Sequence, residues 1–132
     1  MNLFTQHRLE ILAYRGSDQS TALMLLALMN KTETMSFIIQ KLLEKNKYLL
    51  RYLLSQKGSY GSTVLHCAAY FGNNDILSLI FNAAQLDNAF LNELLCARDV
   101  SYKTAYNRAY DANRTKTAQM LTKYYYRSLL GA

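Results

Sequence analysis

The chain has 132 residues, of which 51% are apolar and 18% charged, with a net charge of +6 and an isoelectric point near 9.4. That length suits one domain with one core, and that balance excludes a largely disordered chain. Proline is absent and only five glycines occur, which excludes the punctuation of all-β folds and flexible linkers and leaves helices joined by short loops.

From the N-terminus, Met1 to Tyr14 mix His7, Arg8 and Glu10 among apolar positions and lack the charged start, apolar stretch and cleavage site of a secretory leader, so classical secretion is not expected. A first helix is predicted over 3–15. The apolar run Ala22 to Met29 is far shorter than the roughly 18 residues of a membrane span. Further helices are predicted near 20–29, 33–44, 46–56, 63–71, 75–84, 88–97, 104–112 and 115–128. Their apolar residues recur at steps of three and four, as in Ile76, Leu79, Ile80 and Ala83 and then Leu91, Leu94 and Leu95. N-caps are expected from Ser62 or Thr63, Asn74 or Asp75, and Asp87 or Asn88. Gly16 and Gly58 suit the left-handed residue that closes a helix. Cys67 and Cys96 stand far apart with no close pair, which points to a reducing, intracellular and cytoplasmic setting.

Placing Thr21, Thr63 and Thr104 in register, at spacings of 42 and 41, brings similar chemistry into line over about thirty positions. Ile11-Leu12, Leu53-Leu54 and Leu94-Leu95 precede the threonines in matching columns, as do the bases Arg15, Lys57 and Arg98. Leu23, Leu65 and Tyr106 follow them, and later Phe37-Ile38, Leu79-Ile80 and Met120-Leu121. No pair of such short amphipathic helices buries its own apolar face, so neighbouring units must stack. The expectation is a single all-α domain over 1–132, with units of approximately 16–57, 58–98 and 99–132 after the N-terminal helix 3–15.

The stretch Gly61-Ser62-Thr63-Val64-Leu65-His66-Cys67-Ala68-Ala69-Tyr70-Phe71-Gly72, followed by Ile76 and Leu79-Ile80, resembles the ankyrin repeat, with Val64 in place of the family's proline. Met24 and Asn107 stand where the His belongs in the first and third units. The period exceeds the family's usual length of about 33 residues, and the surplus is an extra helix at 46–56 and again at 88–97. The resemblance implies an ankyrin-like helical repeat solenoid of about three units that binds a partner protein. Units this long and divergent are similar to those of effector proteins that intracellular bacteria deliver into the host-cell cytoplasm.

His66 and Cys67 do not make a nucleophile–base pair, because adjacent helical side chains point about 100° apart. The resemblance implies instead that His66 ties adjacent loops together. His7, His66, Cys67 and Cys96 lack the close spacing of metal ligands. Gly58 to Thr63 lacks the lysine and preceding strand of a phosphate loop. No catalytic residue, cofactor or metal is expected.

Arg15, Lys57 and Arg98 would line up as a positive ridge, or simply complement helix dipoles. Tyr60 and Tyr102 before the first helix of a unit, and Tyr70 and Phe71 at its end, are the expected partner contacts, joined by Lys103 and Asp111. Leu28 and Met29 hold the Tyr70 and Phe71 columns in the first unit, and Asp111 and Ala112 in the third. Tyr124 to Tyr126 suggest a partner, a dimer contact or truncation from a longer protein, the chain itself being a monomer or weak dimer. The alternative function is nucleic-acid or other polyanion binding through Lys41, Lys45, Lys47, Arg51 and Lys57.

Overall fold

A computed structural model describes residues 12–17, 19–84 and 87–130. Among them are eight α-helices and no strand: α1 (Ala22–Leu28), α2 (Thr32–Lys45), α3 (Lys47–Ser55), α4 (Val64–Tyr70), α5 (Asn74–Ala84), α6 (Asn88–Cys96), α7 (Ala105–Asp111) and α8 (Thr115–Leu130). Residues 3–11 of the expected first helix lie outside the described residues, and Tyr14 and Arg15 at its end are not helical.

The three threonines set the register of the backbone. Each is an N-cap whose hydroxyl accepts from the amide three residues on: Met24 for Thr21, His66 for Thr63 and Asn107 for Thr104. A seven-residue helix follows each cap, and nine residues after each threonine the chain turns left-handed, at Asn30 (φ 54°), Gly72 (φ 68°) and Asn113 (φ 60°). Two residues before each threonine it is left-handed as well, at Gln19, Gly61 and Tyr102. Gly and Asn suit that region, so the stop nine residues on is written into its column, whereas Gln19 and Tyr102 give the column before the threonine no such mark.

Before each threonine the chain closes the same tight turn. The amides of Gly16, Gly58 and Asp99 donate to the carbonyls of Ser20, Ser62 and Lys103 at 2.8–3.0 Å. Those of Gln19, Gly61 and Tyr102 donate back to Gly16, Gly58 and Asp99 at 2.9–3.0 Å. Each turn is therefore a short hairpin tip leading into a capped helix.

Two local expectations are corrected. Gly58 is not a left-handed helix stop, since its φ is −96°; a Cβ there would lie 2.8 Å from the Met24 sulfur and 3.2 Å from the Gln19 carbonyl, so close packing between turns demands the glycine. Gly16 also lacks a positive φ. Asn74 and Asp75 lie inside the first turn of α5 and do not cap it, whereas Asp87 caps α6 through the Phe90 amide at 3.0 Å.

The short helices α1, α4 and α7 pack side by side as an inner row, and α2, α5 and α8 form a second row behind them. The extra helices α3 and α6 bury Leu50, Leu53 and Leu54, and Phe90, Leu91, Leu94 and Leu95, and carry the chain to the next unit. Leu23, Met35, Leu42, Leu65, Ile76, Leu77, Ile80 and Phe81 complete one continuous core. Each such side chain contributes about 1.5–3 kcal/mol, an upper figure because the unfolded chain is itself partly compact.

Candidate partner interface

The row of turns is tied together by the bases of one column. An Arg15 guanidinium nitrogen donates to the Lys57 carbonyl at 2.7 Å, and the Lys57 ammonium donates to the Arg98 carbonyl at 2.8 Å. Each base thus reaches the equivalent position one unit further on. Arg98, the last base of the column, donates to Tyr102 of the turn that follows it at 2.7 Å. The ridge is made of connecting links as much as of free charge.

His66 supplies a second link of the kind expected. Its Nδ1 accepts from the Thr63 amide at 3.2 Å, completing a capping box, and Nε2 donates to the Lys103 carbonyl at 2.8 Å. The neutral imidazole with its proton on Nε2 satisfies both bonds. Burial lowers its pKa from the ordinary value, outweighing the bond to Lys103 and the nearby Asp99, which act the other way. Asn107 keeps the box in the third unit and makes no reach beyond it, while Met24 in the first can make neither bond.

Sequence reasoning missed three features. Asn73 and Arg114, ten residues after their threonines, reach back to the preceding unit, at the Ala27 carbonyl (2.6 Å) and the Tyr70 carbonyl (3.2 Å). The signal was a polar or basic residue directly after each left-handed stop. Asp99 stands where the other units have glycine, and its buried carboxylate accepts from the amides of Ser101 and Lys103 and from Arg108 at 2.6–3.1 Å. Burial alone would raise its pKa; the Arg108 bond, then the two amides, outweigh this and hold it below the usual range. Leu25 on α1 is exposed next to the expected contact columns.

The expected contact residues fall in two groups. Tyr60 and Tyr102 project from the second and third turns, 79% and 78% exposed, and both have left-handed backbones (φ 61°). A tyrosine held there costs roughly 1–2 kcal/mol, a strain that tends to cluster at functional positions. The amide of Val100 donates to the Tyr60 carbonyl at 2.9 Å, which fixes one turn against the next. Tyr70 and Phe71 end α4 about half exposed, with their rings edge-to-face at 5.0 Å. Met29 is exposed in the Phe71 column of the first unit. Lys103 and Asp111 pair with each other.

The cations considered for a polyanion surface are partly engaged. Lys41 pairs with Glu44 at 3.9 Å and lies over Phe37; Arg51 pairs with Asp87 at 2.6 Å and lies over Phe90; Lys57 holds the Arg98 carbonyl. Burial pushes the Cys67 thiol up to about 11, which keeps it a thiol at neutral pH. Among the described residues no three His, Cys, Asp or Glu side chains converge on a metal-sized site, and no helix is long and apolar enough to cross a membrane.

The ankyrin repeat family model matches residues 60–89, the segment that contains the His66 box, the left-handed Gly72 and α5. Residues 60–89 are an ankyrin repeat. The array around this ankyrin repeat is an ankyrin-like solenoid. It is similar, at a TM-score of 0.76 and 21% identity, to a chain in the crystal structure of the yeast ribosomal protein Rps3 in complex with its chaperone Yar1, over 92% of this chain and 78% of that one. At that identity the likeness is one of fold. No curated protein matches the sequence significantly.

Proposed function

We propose that this chain is a protein-interaction module, one domain of three units, that grips a partner protein along its turns and inner helices. The observation that carries this reading is the alignment of solvent-facing apolar and aromatic side chains on a backbone fixed from unit to unit. Leu25 lies on α1 and Met29 follows it, Tyr70 and Phe71 end α4, and Tyr60 and Tyr102 crown the turns. Lys103 and Asp111 sit beside this row as a pair that a charged partner group can exchange. Rigid turns favour tight binding because little freedom is lost on association, and tyrosine supplies large contact area with a polar tip. The similar yeast structure holds a chaperone with a ribosomal protein; a protein partner is the corresponding reading here.

An intracellular setting accords with the two unpaired cysteines, Cys67 and Cys96. A host-directed effector role draws on the long, divergent units alone. The polyanion alternative retains Lys45 and Lys47 as cations outside any ion pair among the described residues.

The test is capture from cell lysate by the chain and by its Tyr70→Ala/Phe71→Ala variant. Central aromatic contacts cost about 2 kcal/mol or more when truncated, about thirtyfold in Kd, so capture should fall to background while the circular dichroism spectrum stays unchanged. Undiminished capture of the same partner by the variant would remove this surface from consideration.

A further inference from the structure

A second surface lies at the far end of the array, on the side of α7 and α8 that faces away from α4 and α5. In the first two units the residues of four columns belong to the core: Leu23 and Leu65, Ala27 and Ala69, Ile39 and Phe81, Leu42 and Ala84 are all buried. In the third unit the same columns hold Tyr106, Tyr110, Thr122 and Tyr125, and the three tyrosines are 40%, 67% and 39% exposed. They line two adjoining hollows of about 500 and 390 Å³ that share Tyr106 and Thr122, forming one groove with Arg114 at one end and Arg98 at the other. This groove repeats the seat into which α7 and α8 pack on α4 and α5, so its shape suits a helix.

Charge decides which helix. No acidic residue lines either hollow. Both carboxylates of the third unit are occupied, Asp99 by Arg108 and Asp111 by Lys103, which leaves Arg114, Lys116, Lys123 and Arg127 in no ion pair among the described residues. The third unit also reverses acidic columns: Lys116 stands where Glu33 and Asp75 do, and Arg127 where Glu44 does. Arg98 and Arg114 each use one N–H on a carbonyl, at Tyr102 and Tyr70, and a guanidinium has five. A second copy of this chain, itself at +6, would meet like charge.

We propose that this end groove docks an acidic amphipathic helix of a partner protein. The apolar stripe of that helix rests on Tyr106, Tyr110 and Tyr125, and its carboxylates meet Arg98 and Arg114. The site does not use the Tyr70 and Phe71 side chains, since Arg114 meets Tyr70 at its backbone carbonyl.

The test is fluorescence anisotropy with a labelled helical peptide of leucine and glutamate and with its leucine–lysine counterpart. The glutamate peptide should bind, more weakly as salt rises, and the lysine peptide should not. Thr122→Glu, in mid-groove, should weaken binding at least about tenfold with the helical spectrum retained, and Arg114→Gln should weaken it about fivefold with a shallower salt dependence. Tyr70→Ala/Phe71→Ala should bind the peptide as the parent does, even if that variant fails to lose its own partner. Equal binding of both peptides, binding of neither, or indifference to both groove variants overturns the proposal. So does sedimentation showing self-association that Thr122→Glu dissolves, or a single-stranded RNA that occupies the groove in place of the glutamate peptide.

Discussion

In the second unit Leu65, Ala69 and Phe81 lie fully buried beneath the third; in the third unit Tyr106, Tyr110 and Thr122 hold the same places on the same backbone, the two tyrosines exposed and Thr122 half-buried. Both units have a threonine cap, a seven-residue helix and a left-handed stop nine residues on. The difference shows that backbone register and face chemistry are set separately. Caps and left-handed residues are local signals that work in any unit. What fills the inter-unit columns depends on whether a further helix pair covers them, so buried leucine and alanine give way to amphipathic tyrosine, and Phe81 to Thr122, where nothing among the described residues does.

The sharpest way to test this is to truncate one column in both units. Phe81 is fully buried and stacks on Tyr124 at 4.2 Å, so Phe81→Ala should cost about 3–5 kcal/mol in urea unfolding. Thr122→Ala, in the equivalent place, should change stability by no more than about 0.5 kcal/mol. Equal costs would mean that the column is packed alike in both units, and the comparison would fail.

The turns offer the next contrast, because Asp99 does in the third unit what Gly16 and Gly58 leave to the backbone. Asp99→Asn weakens the bond to Arg108 and should cost about 2 kcal/mol. Its carboxyl is held below the usual range in the folded chain, so the unfolded chain takes up the proton first. The stabilisation is complete above the ordinary carboxylate value and is lost as pH falls through the folded one. The acid limb of the stability profile should therefore be shallower in the variant; an unchanged limb would show that the carboxylate is not the group responsible.

A smaller effect separates His66 from Asn107. His66→Asn keeps the capping box found in the third unit and loses the bond to the Lys103 carbonyl, at about 1 kcal/mol. The folded His66 resists protonation relative to the unfolded chain, so its contribution is complete above the ordinary imidazole value of about 6.5 and declines as pH falls below it. Chemical unfolding between neutral pH and pH 5 should show this decline in the parent and not in His66→Asn. A parent curve that is flat there would place the imidazole in solvent.

Much of this was legible in the sequence. Periodicity in steps of three and four placed α1 to α8 to within a few residues, and the threonine register gave the stacking, because those signals are local or repeat in kind. The inter-unit bonds were not legible: Arg15 and Lys57 read equally well as free charge or dipole partners until the next turn's carbonyls were placed beside them. Gly58 misled because a glycine can answer either to a positive φ or to lack of space, and its φ of −96° together with the nearby Met24 sulfur and Gln19 carbonyl decides for the second. Tyr60 and Tyr102 were readable as turn residues, but their left-handed backbones were hidden, since tyrosine is a poor marker of that region.

The finest test of the comparison lies in the column of bases. Lys57 reaches across to the Arg98 carbonyl at the head of the next turn, whereas Arg98, in the equivalent place before its turn, closes only on Tyr102 of that turn. Both side chains are exposed, so each bond is worth only a fraction of a kcal/mol. Lys57→Met should lower stability by about 0.5 kcal/mol and raise exchange of the Val100 amide, which bonds across the same junction to Tyr60, about twofold. Arg98→Met should leave that amide's protection nearer the parent's, because it cuts no link between units. If the two substitutions loosen Val100 equally, the bases steady their turns from within, and the coupling of one unit to the next must be carried by His66, Asn73, Arg114 and the buried core.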